Sequence, residues 1–235
     1  KKNKKKVFVV MQNKFNLPVL KLRDDIKKKK FGNIFHSSVI VRWRRDQKYY
    51  DNDNWRGTWK FDGGVVSNQA SHHLDLLRTI MGNPVSVFAK SSNHLAKIQC
   101  EDTAMIIFKF KNNKTAIMEA TTAMRPKNIE GSLSIMGTKG SAKIGGFALN
   151  KIEYYNVKGK ISLSKYKTSP KNVYGFGHLK FYEHVINTLN KKTKSEFECD
   201  EALKTVKIIN AVYKSIETKK EIFFKNNISS EKLGK

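Results

Sequence analysis

Apolar residues recur along the chain at two spacings, and each spacing predicts its own kind of element. A compact apolar run from Val7 to Met11 predicts a buried strand. Apolar residues three and four positions apart, Val19, Leu22 and Ile26, then predict a helix that ends at Gly32. The chain is therefore expected to begin with a strand followed by a helix.

The rest of the chain is dominated by short strand-like runs, which turns such as "KNNK" and "GTKG" separate in the pattern of antiparallel meanders. The predicted strands lie at 34–45, 85–93, 102–110, 115–123, 130–136, 141–144, 151–155 and 221–224, and the predicted helices at 69–81, 181–189 and 200–217. Asp200 is the predicted N-cap of the last helix. These elements predict an α+β fold, an open and mainly antiparallel sheet with helices packed on one face.

A long polar and aromatic loop, "DQKYYDNDNWRGTWKFDGG" at 46–64, interrupts this pattern before the helix at 69–81. Loops of that length inside a domain are usually functional. Gly63 and Gly64 allow the chain to turn sharply from the loop towards the helix. We therefore expect functional residues in the loop and at the start of the helix.

The net charge of +26 suggests a polyanionic partner, but the lysines are spread over every segment and form no basic stripe. This distribution argues against nucleic acid and favours an anionic small-molecule substrate. Cys100 and Cys199 have no second cysteine nearby, which excludes a disulfide framework and a zinc knuckle and favours the cytoplasm. The apolar runs are too short to cross a bilayer.

His72 is the strongest candidate for catalysis because it lies in the first turn of the predicted helix. The positive end of the helix dipole disfavours an imidazolium there, so the ring should stay neutral and able to accept a proton. Asp75 is expected on the same helix face, near enough to orient the ring, with Asn68 and Gln69 as flanking amides. The alternative is a histidine that only caps and packs, and no third ligand suggests a metal site.

Aromatic and arginine residues crowd the segment directly before this helix. They are Trp43, Arg44, Tyr49, Tyr50, Trp55, Arg56 and Trp59. Exposed aromatic rings beside arginines form platforms for sugar rings and clamps for phosphates. The alternative is that these rings pack beneath the loop.

Five stretches together resemble the glucose-fructose oxidoreductase/inositol dehydrogenase/MocA family. They are "QNKFN" at 12–16, "VRWRRDQKYYDNDNWRGTWKFDGGVVSNQASHHLDLL" at 41–77, "EDTAMIIFKF" at 101–110, "RPKNIEGSLSIMGTKGSAKIGG" at 125–146 and "VYGFGHLKFYEHVINTL" at 173–189. Within the family they are most similar to the bacterial enzymes that oxidise the 3-hydroxyl of a UDP-linked N-acetylated hexuronic acid for surface-polysaccharide biosynthesis.

The resemblance implies a two-domain, NAD-dependent enzyme, of which this chain resembles the second domain. It implies that residues 1–13 are the remnant of the last strand of a dinucleotide-binding Rossmann domain. Residues 14–225 would form the substrate-binding and catalytic domain, and 226–235 a frayed polar tail. "GGFALN" at 145–150 does not satisfy the dinucleotide fingerprint, so we expect that motif upstream of Lys1 and no activity from the chain alone.

The resemblance also assigns residues by position. His72 matches the catalytic histidine, and Trp55 and Arg56 match positions that approach the cofactor. The residues expected to bind substrate are Gln12, Asn13, Arg44, Tyr49, Tyr50, Asn68, Gln69 and His178. Lys14 replaces a common arginine, which keeps the charge but loses a bidentate fork.

Asn68 occupies a position where the broader family often has aspartate, which favours a sugar nucleotide over a polyol. The resemblance further implies a homo-oligomer through the open face of the sheet. Two alternatives remain at this point: a family member acting on another sugar or on inositol, and a non-catalytic module that binds polyanions or drives oligomerisation.

Overall fold

Eight strands form one open sheet in the computed structural model, which describes residues 5–159, 161–225 and 228–235. In chain order the elements are the 3₁₀ helix Gln12–Phe15, α1 (Leu17–Lys27), β1 (Ile34–Arg42), α2 (Gln47–Asp51), α3 (Ser71–Met81), β2 (Ser86–Ser92), β3 (Thr103–Lys109), β4 (Thr115–Thr121), β5 (Glu130–Gly137), β6 (Gly140–Gly145), β7 (Lys151–Asn156), a second 3₁₀ helix (Leu163–Tyr166), α4 (Gly177–Leu189), α5 (Cys199–Thr218) and β8 (Ile222–Phe223). The predicted element types are confirmed over most of this length.

The strand order is β7-β6-β5-β1-β4-β3-β2-β8, and all neighbours are antiparallel except β1 and β4. The predicted α+β fold with a mainly antiparallel sheet is confirmed. A continuous meander is not, because β1 inserts between β4 and β5. Val39 of β1 faces Met118 on one side and Leu133 on the other, so the first strand becomes a central one.

The helices pack on one face of the sheet, as the sequence predicts. Inward side chains of the central strands, such as Val41 and Phe108, are buried with Leu74 and Leu77 of α3. Residues on β3 alternate between buried and exposed, because successive side chains point to opposite faces of a strand. The amphipathic pattern of each strand therefore fixes which face carries the helices and which stays open.

The predicted strand at Val7 to Met11 is wrong. Only Phe8 forms a bridge, to Glu198, while Val7 and Val10 are exposed. The pairing cannot extend, because the chain enters a 3₁₀ helix at Gln12 and α5 begins directly after Glu198. Residues 1–4 of the predicted strand remnant lie outside the described residues.

The tail expected to fray is ordered over 228–235, and residues 226–227 of it lie outside the described residues. The Glu217 carboxylate accepts backbone N–H bonds from Glu231 at 3.0 Å and from Lys232 at 3.3 Å. The N–H of Gly234 donates to the carbonyl of Trp59 at 2.8 Å. This segment therefore folds back onto α5 and onto the long loop.

Three helix starts also differ from the prediction, and α3 begins at Ser71, two positions after the predicted Gln69. The helix α4 begins at Gly177, four positions before the predicted Phe181, and this places His178 in its first turn. The N-cap of α5 is Glu198, and Asp200 lies inside the first turn, where a carboxylate interacts favourably with the helix dipole. Such shifts are expected, because apolar spacing marks the body of a helix better than its ends.

Candidate active site

The long loop is shaped by two aspartates. Asp46 caps α2 by accepting the backbone N–H of Tyr49 at 3.1 Å. Asp62 accepts the N–H of Gly57 at 3.0 Å and the side-chain N–H of Asn68 at 2.6 Å. These bonds close the loop on itself and hold the predicted amide Asn68 at the entrance to α3.

The glycine pair turns the chain as the sequence predicts, although each glycine does so for its own reason. Gly63 has a φ of +73°, a conformation that favours glycine. A Cβ on Gly64 would lie 2.2 Å from the Glu101 carboxylate, so the backbone passes that buried side chain too closely for any other residue. The Tyr213 hydroxyl accepts the N–H of Gly64 at 2.9 Å and donates to Glu101 at 3.0 Å, which fixes the turn.

His72 is the second residue of α3 and is half-buried. Its Nδ1 is buried and has no hydrogen-bond partner among the described residues. Burial lowers the pKa of the imidazole, Asp75 opposes that shift, and the nearby His178 adds to it. The ring is therefore neutral at physiological pH with a free nitrogen, although burial rather than the helix dipole is the largest cause.

Asp75 does not orient the His72 ring, contrary to the sequence-based expectation. Its carboxylate pairs instead with Lys14 at 2.8 Å and Arg78 at 3.2 Å, and accepts the Thr205 hydroxyl at 2.7 Å. Residues three apart share a helix face, but here that face looks onto Lys14 and α5. Asp75 acts on His72 only through its charge.

His73 points into the core, away from His72. It is fully buried and lies edge-on to Trp43 with ring centroids 5.5 Å apart, and neither ring nitrogen has a hydrogen-bond partner within the described part of the chain. Burial lowers the pKa of His73 to about 3. The ring is therefore a neutral core residue.

Two amides approach the site from the 3₁₀ helix. Gln12 and Asn13 are both 3% exposed, and their side-chain oxygens have no partner among the described residues. The Gln12 side chain donates to the carbonyl of Tyr174 at 3.4 Å. A Cβ on Gly177 would lie 2.0 Å from the Gln12 carbonyl oxygen, so a glycine lets α4 approach and bring His178 towards His72.

Tyr49 is the centre of an aromatic and cationic platform. Its ring lies 4.1 Å from the guanidinium of Arg56 and 5.0 Å from that of Arg45. Gln69 donates to the Tyr49 hydroxyl at 3.3 Å, which ties the platform to the start of α3. In the described ranges the buried Nε–H of each arginine has no partner, so the platform retains donors for an anionic group. Arg56 is further held by Asp53 at 2.8 Å.

Arg44 and Trp55 are the exposed predicted residues beside the platform. Arg44 is exposed, pairs with Asp46 at 2.6 Å, and lines a cavity of about 270 Å³ together with Tyr49 and Tyr174. Trp55 is 43% exposed, with the Arg56 guanidinium 5.2 Å from its ring.

Tyr50 is 6% exposed and lines a cavity beside the loop together with Gln47 and Arg56. Its hydroxyl is bonded to Thr122 at 2.8 Å, and burial raises its pKa to about 12. We therefore regard Tyr50 as a support for the platform.

Sequence reasoning missed Arg45, Asp62, Tyr174 and the Glu101–Tyr213 pair. An aspartate directly before two glycines is a common turn signal and could have identified Asp62. Arg45 lies in the run "RWRRD", in which the sequence does not show which arginine faces the platform. Tyr174 and Tyr213 are distant in sequence from their partners, so only the fold could identify them.

None of the helices in the described ranges is long and apolar enough to span a membrane. Within the same ranges, no three His, Cys, Asp or Glu side chains come together in a way that could hold a metal ion.

Comparison with known proteins gives the family. The model of the oxidoreductase family C-terminal alpha/beta domain matches residues 23–223. A WlbA dehydrogenase from Chromobacterium violaceum, solved in complex with NADH and UDP-GlcNAcA, is 37% identical with a TM-score of 0.86. That match covers 95% of this chain and 64% of the relative's chain.

Two further structures support the comparison at different levels. The WlbA dehydrogenase from Bordetella pertussis, also in complex with NADH and UDP-GlcNAcA, is 32% identical with a TM-score of 0.83, over 94% of this chain and 64% of its own. The aldose-aldose oxidoreductase from Caulobacter crescentus shares the fold at 16% identity and a TM-score of 0.77, over 95% of this chain and 65% of its own. None of the curated proteins matches this chain. The chain belongs to the glucose-fructose oxidoreductase/inositol dehydrogenase/MocA family of oxidoreductases, whose C-terminal alpha/beta domain it forms.

Proposed function

We propose that the chain is the substrate-binding and catalytic part of an NAD-dependent dehydrogenase that oxidises the 3-hydroxyl of a UDP-linked N-acetylated hexuronic acid. Such a reaction would belong to the biosynthesis of surface-polysaccharide sugars. The chain spans 64% of the length of the two WlbA relatives, and we propose that it works with a dinucleotide-binding domain of the kind that the family carries. The free thiols of Cys100 and Cys199 suit a reducing compartment, and we propose the cytoplasm.

The observation that carries this proposal is the set of polar atoms left without partners around α3. Gln12, Asn13 and Gln69 each have a buried side-chain oxygen, and His72 a buried ring nitrogen, that none of the described residues meets with a hydrogen bond. Buried polar groups are normally hydrogen-bonded, so such a cluster indicates a ligand that donates several hydrogen bonds. The hydroxyl and amide groups of an N-acetylated sugar are donors of this kind.

The charged end of the proposed substrate matches the platform around Tyr49. Among the described residues the Nε–H group of Arg45 has no partner, and it suits a diphosphate or carboxylate, because guanidinium groups bind such anions through charge-assisted hydrogen bonds. Tyr49 and the exposed Tyr174 line the same cavity as Arg45 and offer aromatic surface for a uracil or pyranose ring. Hydrogen-bond acceptors near α3 and donors at the platform would therefore orient the substrate in one direction.

His72 performs the proton transfer in the proposed mechanism. Oxidation of a secondary alcohol requires a base that takes the hydroxyl proton, and a neutral imidazole with a free nitrogen can do so. Burial keeps the ring neutral, and the nearby His178 disfavours the imidazolium further. Because Asp75 raises the proton affinity only through its charge, the ring is not committed to any other partner before substrate binds.

The residues near the platform also fit the cofactor that the family implies. Trp55 presents an exposed aromatic face, and Arg56 has an unpartnered N–H that suits an anionic diphosphate. When bound, NAD would supply the hydride acceptor of the reaction. The chain's part is to bind the sugar, to orient its 3-hydroxyl, and to hold the proton on His72.

The proposal is tested by joining the chain to the dinucleotide-binding domain of the Chromobacterium violaceum relative, a protein called the chimera below. We expect the chimera to form NADH from NAD with UDP-GlcNAcA, followed by absorbance, and not with inositol or UDP-GlcNAc. Turnover with inositol but not with UDP-GlcNAcA would support the polyol alternative. A folded chimera that binds NAD and oxidises none of these compounds would disprove the proposed activity.

We further propose that the open face of the sheet binds a second copy of the chain. Met105, Ile107 and Ile117 on this face are 59%, 56% and 49% exposed, and Ile107 lies directly opposite Ile117 on the neighbouring strand. A contiguous apolar patch of this kind usually marks a protein–protein contact. Arg42 and Glu119 form an ion pair at 2.6 Å on the same face and would lie near the patch.

We expect the wild-type chain to sediment as a dimer or larger assembly and the Ile107→Glu/Ile117→Glu variant to sediment as a monomer. Two carboxylates facing each other in an apolar contact would have to be desolvated, which opposes association. Leu95→Glu is the matched control, because Leu95 is 55% exposed in a loop away from this face. A wild-type chain that stays monomeric at the highest concentration measured would contradict the proposal.

A further inference from the structure

Lys14 and Asp75 form an ion pair in the interior, beside the candidate site. Their side chains are 3% and 2% exposed, and Nζ of Lys14 lies 2.8 Å from Oδ2 of Asp75. The other Asp75 oxygen accepts the Thr205 hydroxyl of α5 at 2.7 Å and pairs with Arg78 at 3.2 Å. Breaking one partner from a buried pair is costly, because the remaining charge is left without compensation. The pair therefore ties the 3₁₀ helix Gln12–Phe15 to α3 and α5.

Both members of the pair lie next to residues of the proposed site. Lys14 directly follows Gln12 and Asn13, whose side-chain oxygens accept no hydrogen bond from the part of the chain that the structure describes. Asp75 lies three residues after His72, on the next turn of α3. Among the described residues, no hydrogen bond joins the Gln12 or Asn13 side chain to α3. The ion pair is thus the polar link that sets how the two amides stand relative to His72.

We infer that Lys14 and Asp75 are positioning residues, which hold the Gln12–Asn13 amides in register with His72 and balance the charge beside its ring. The inference rests on the proposed role of His72 and goes beyond it. It assigns a role to a buried lysine whose ammonium group is already paired with Asp75.

The charges around the Lys14–Asp75 pair predict the direction in which the pKa of His72 changes in each variant. Asp75 favours the imidazolium form of His72, whereas burial and His178 oppose it. Lys14 and Arg78 compensate the Asp75 carboxylate, and Glu196 approaches Lys14 at 3.9 Å. Removing the Lys14 charge leaves Asp75 less compensated, with Arg78 still keeping it ionised, so the pKa of His72 should rise. Removing the Asp75 charge as well should lower the pKa of His72 below that of the wild type.

The test compares Lys14→Met with the double variant Lys14→Met/Asp75→Asn in the 235-residue chain, by NMR titration of the His72 ring. We expect the pKa of His72 to move up in the single variant and down in the double variant. A purely structural role would not move it in opposite directions. Lys14→Arg keeps the charge and should restore the wild-type titration. Unchanged His72 titration in folded single and double variants would overturn the inference.

Two controls keep the outcome interpretable. Lys21→Met breaks the ion pair of Lys21 with Asp25, which involves another buried carboxylate but lies on α1 away from His72, and should leave the His72 titration unchanged. If Lys14→Met does not fold, the double variant and Lys14→Arg still decide the question, because a double variant that titrates like the wild type refutes the charge-balancing role.

Activity of the chimera gives a second measurement. We expect Lys14→Met to lower kcat/KM about tenfold to a hundredfold, since small displacements of positioning groups have effects of that size. Lys14→Arg should recover most of this loss. If the wild-type chimera is inactive while the titrations shift as expected, the proposed function fails and the positioning role stands. If the chimera is active and Lys14→Met matches it in both kcat/KM and titration, only the positioning role fails.

Discussion

Replacing His72 with Gln in the chimera is expected to lower kcat by about 10²–10⁴-fold, the usual contribution of a general base. The amide can still form a hydrogen bond to the substrate hydroxyl but cannot accept its proton, so KM should change much less than kcat. Steady-state kinetics with UDP-GlcNAcA measures both quantities. A His72→Gln variant that turns over at the wild-type rate would show that another group takes the proton.

The matched control is His94→Gln, because His94 is an exposed histidine in a loop outside the proposed site. It should leave kcat and KM unchanged. Circular dichroism of all three proteins should agree, since neither substitution removes a core residue.

The pH dependence of activity in the wild-type chimera is a second test of His72 as the base. A base works only when it is unprotonated, so kcat/KM should fall as the pH drops through the pKa of His72. Burial holds that pKa below its ordinary value of 6.5, and the activity should therefore persist to lower pH than a solvent-exposed histidine would allow. In the Lys14→Met variant the same fall should begin at a higher pH.

Replacing His73 with Leu is expected to remove a large acid-dependent loss of stability. The ordinary pKa of histidine is 6.5, and burial lowers that of His73 to about 3, so between these values only the unfolded chain binds a proton. The free energy of unfolding then falls by about 1.4 kcal/mol for each unit by which the pH decreases. The full stabilisation by neutral His73 is present only above the pKa of this residue in the unfolded chain. Between about pH 6 and about pH 4 the wild type should lose roughly 2–3 kcal/mol relative to His73→Leu.

Urea unfolding at a series of pH values measures this difference. Paired carboxylates such as Asp25 and Asp102, whose pKa values are lowered, also destabilise the fold in acid, but they do so equally in both proteins. Parallel curves for wild type and His73→Leu would mean that His73 is protonated in the folded state.

Glu101 is a buried acid whose effect on the free energy of unfolding changes with pH in the opposite direction to that of His73. Burial raises its pKa from 4.5 to about 7, so its contribution to stability is lost as the pH rises through this interval. Glu101→Gln keeps an oxygen that can accept the N–H of Val66 and the hydroxyl of Tyr213, both at 3.0 Å in the wild type. This variant should gain stability relative to the wild type with rising pH, whereas His73→Leu should gain it with falling pH.

Several features of the site were predictable because they depend on local sequence. Two adjacent glycines after a long loop predict a sharp turn, and an apolar period of three to four after it predicts α3 with His72 in its first turn. The neutral state of His72 was also predicted, although for a different main reason. Burial is the larger cause, and His178 of α4, which is more than a hundred positions away in the sequence, adds to it, so no local pattern reveals either effect.

The misplaced features depend on contacts between distant segments. Asp75 is expected from the sequence to orient His72 because the two share a helix face. In the fold, its carboxylate instead contacts Lys14 and Thr205, which come from other parts of the chain. Substrate binding by Tyr50 stays a prediction, but the fold bonds its hydroxyl to Thr122, which lies 72 positions away. A polar side chain takes the partner that folding brings within reach, and sequence spacing does not contain this information.

The sequence by itself determined the strands, the helices and the face of each that is buried, because periods of two and of three to four follow from backbone geometry alone. The tertiary structure alone decided that β1 lies between β4 and β5, which β1 joins by parallel and antiparallel pairing. It also decided that residues 228–235 fold back on Trp59, and that Lys14 meets Asp75. These outcomes depend on which distant segments of the chain bury their surfaces against each other, and that is a property of the folded chain as a whole.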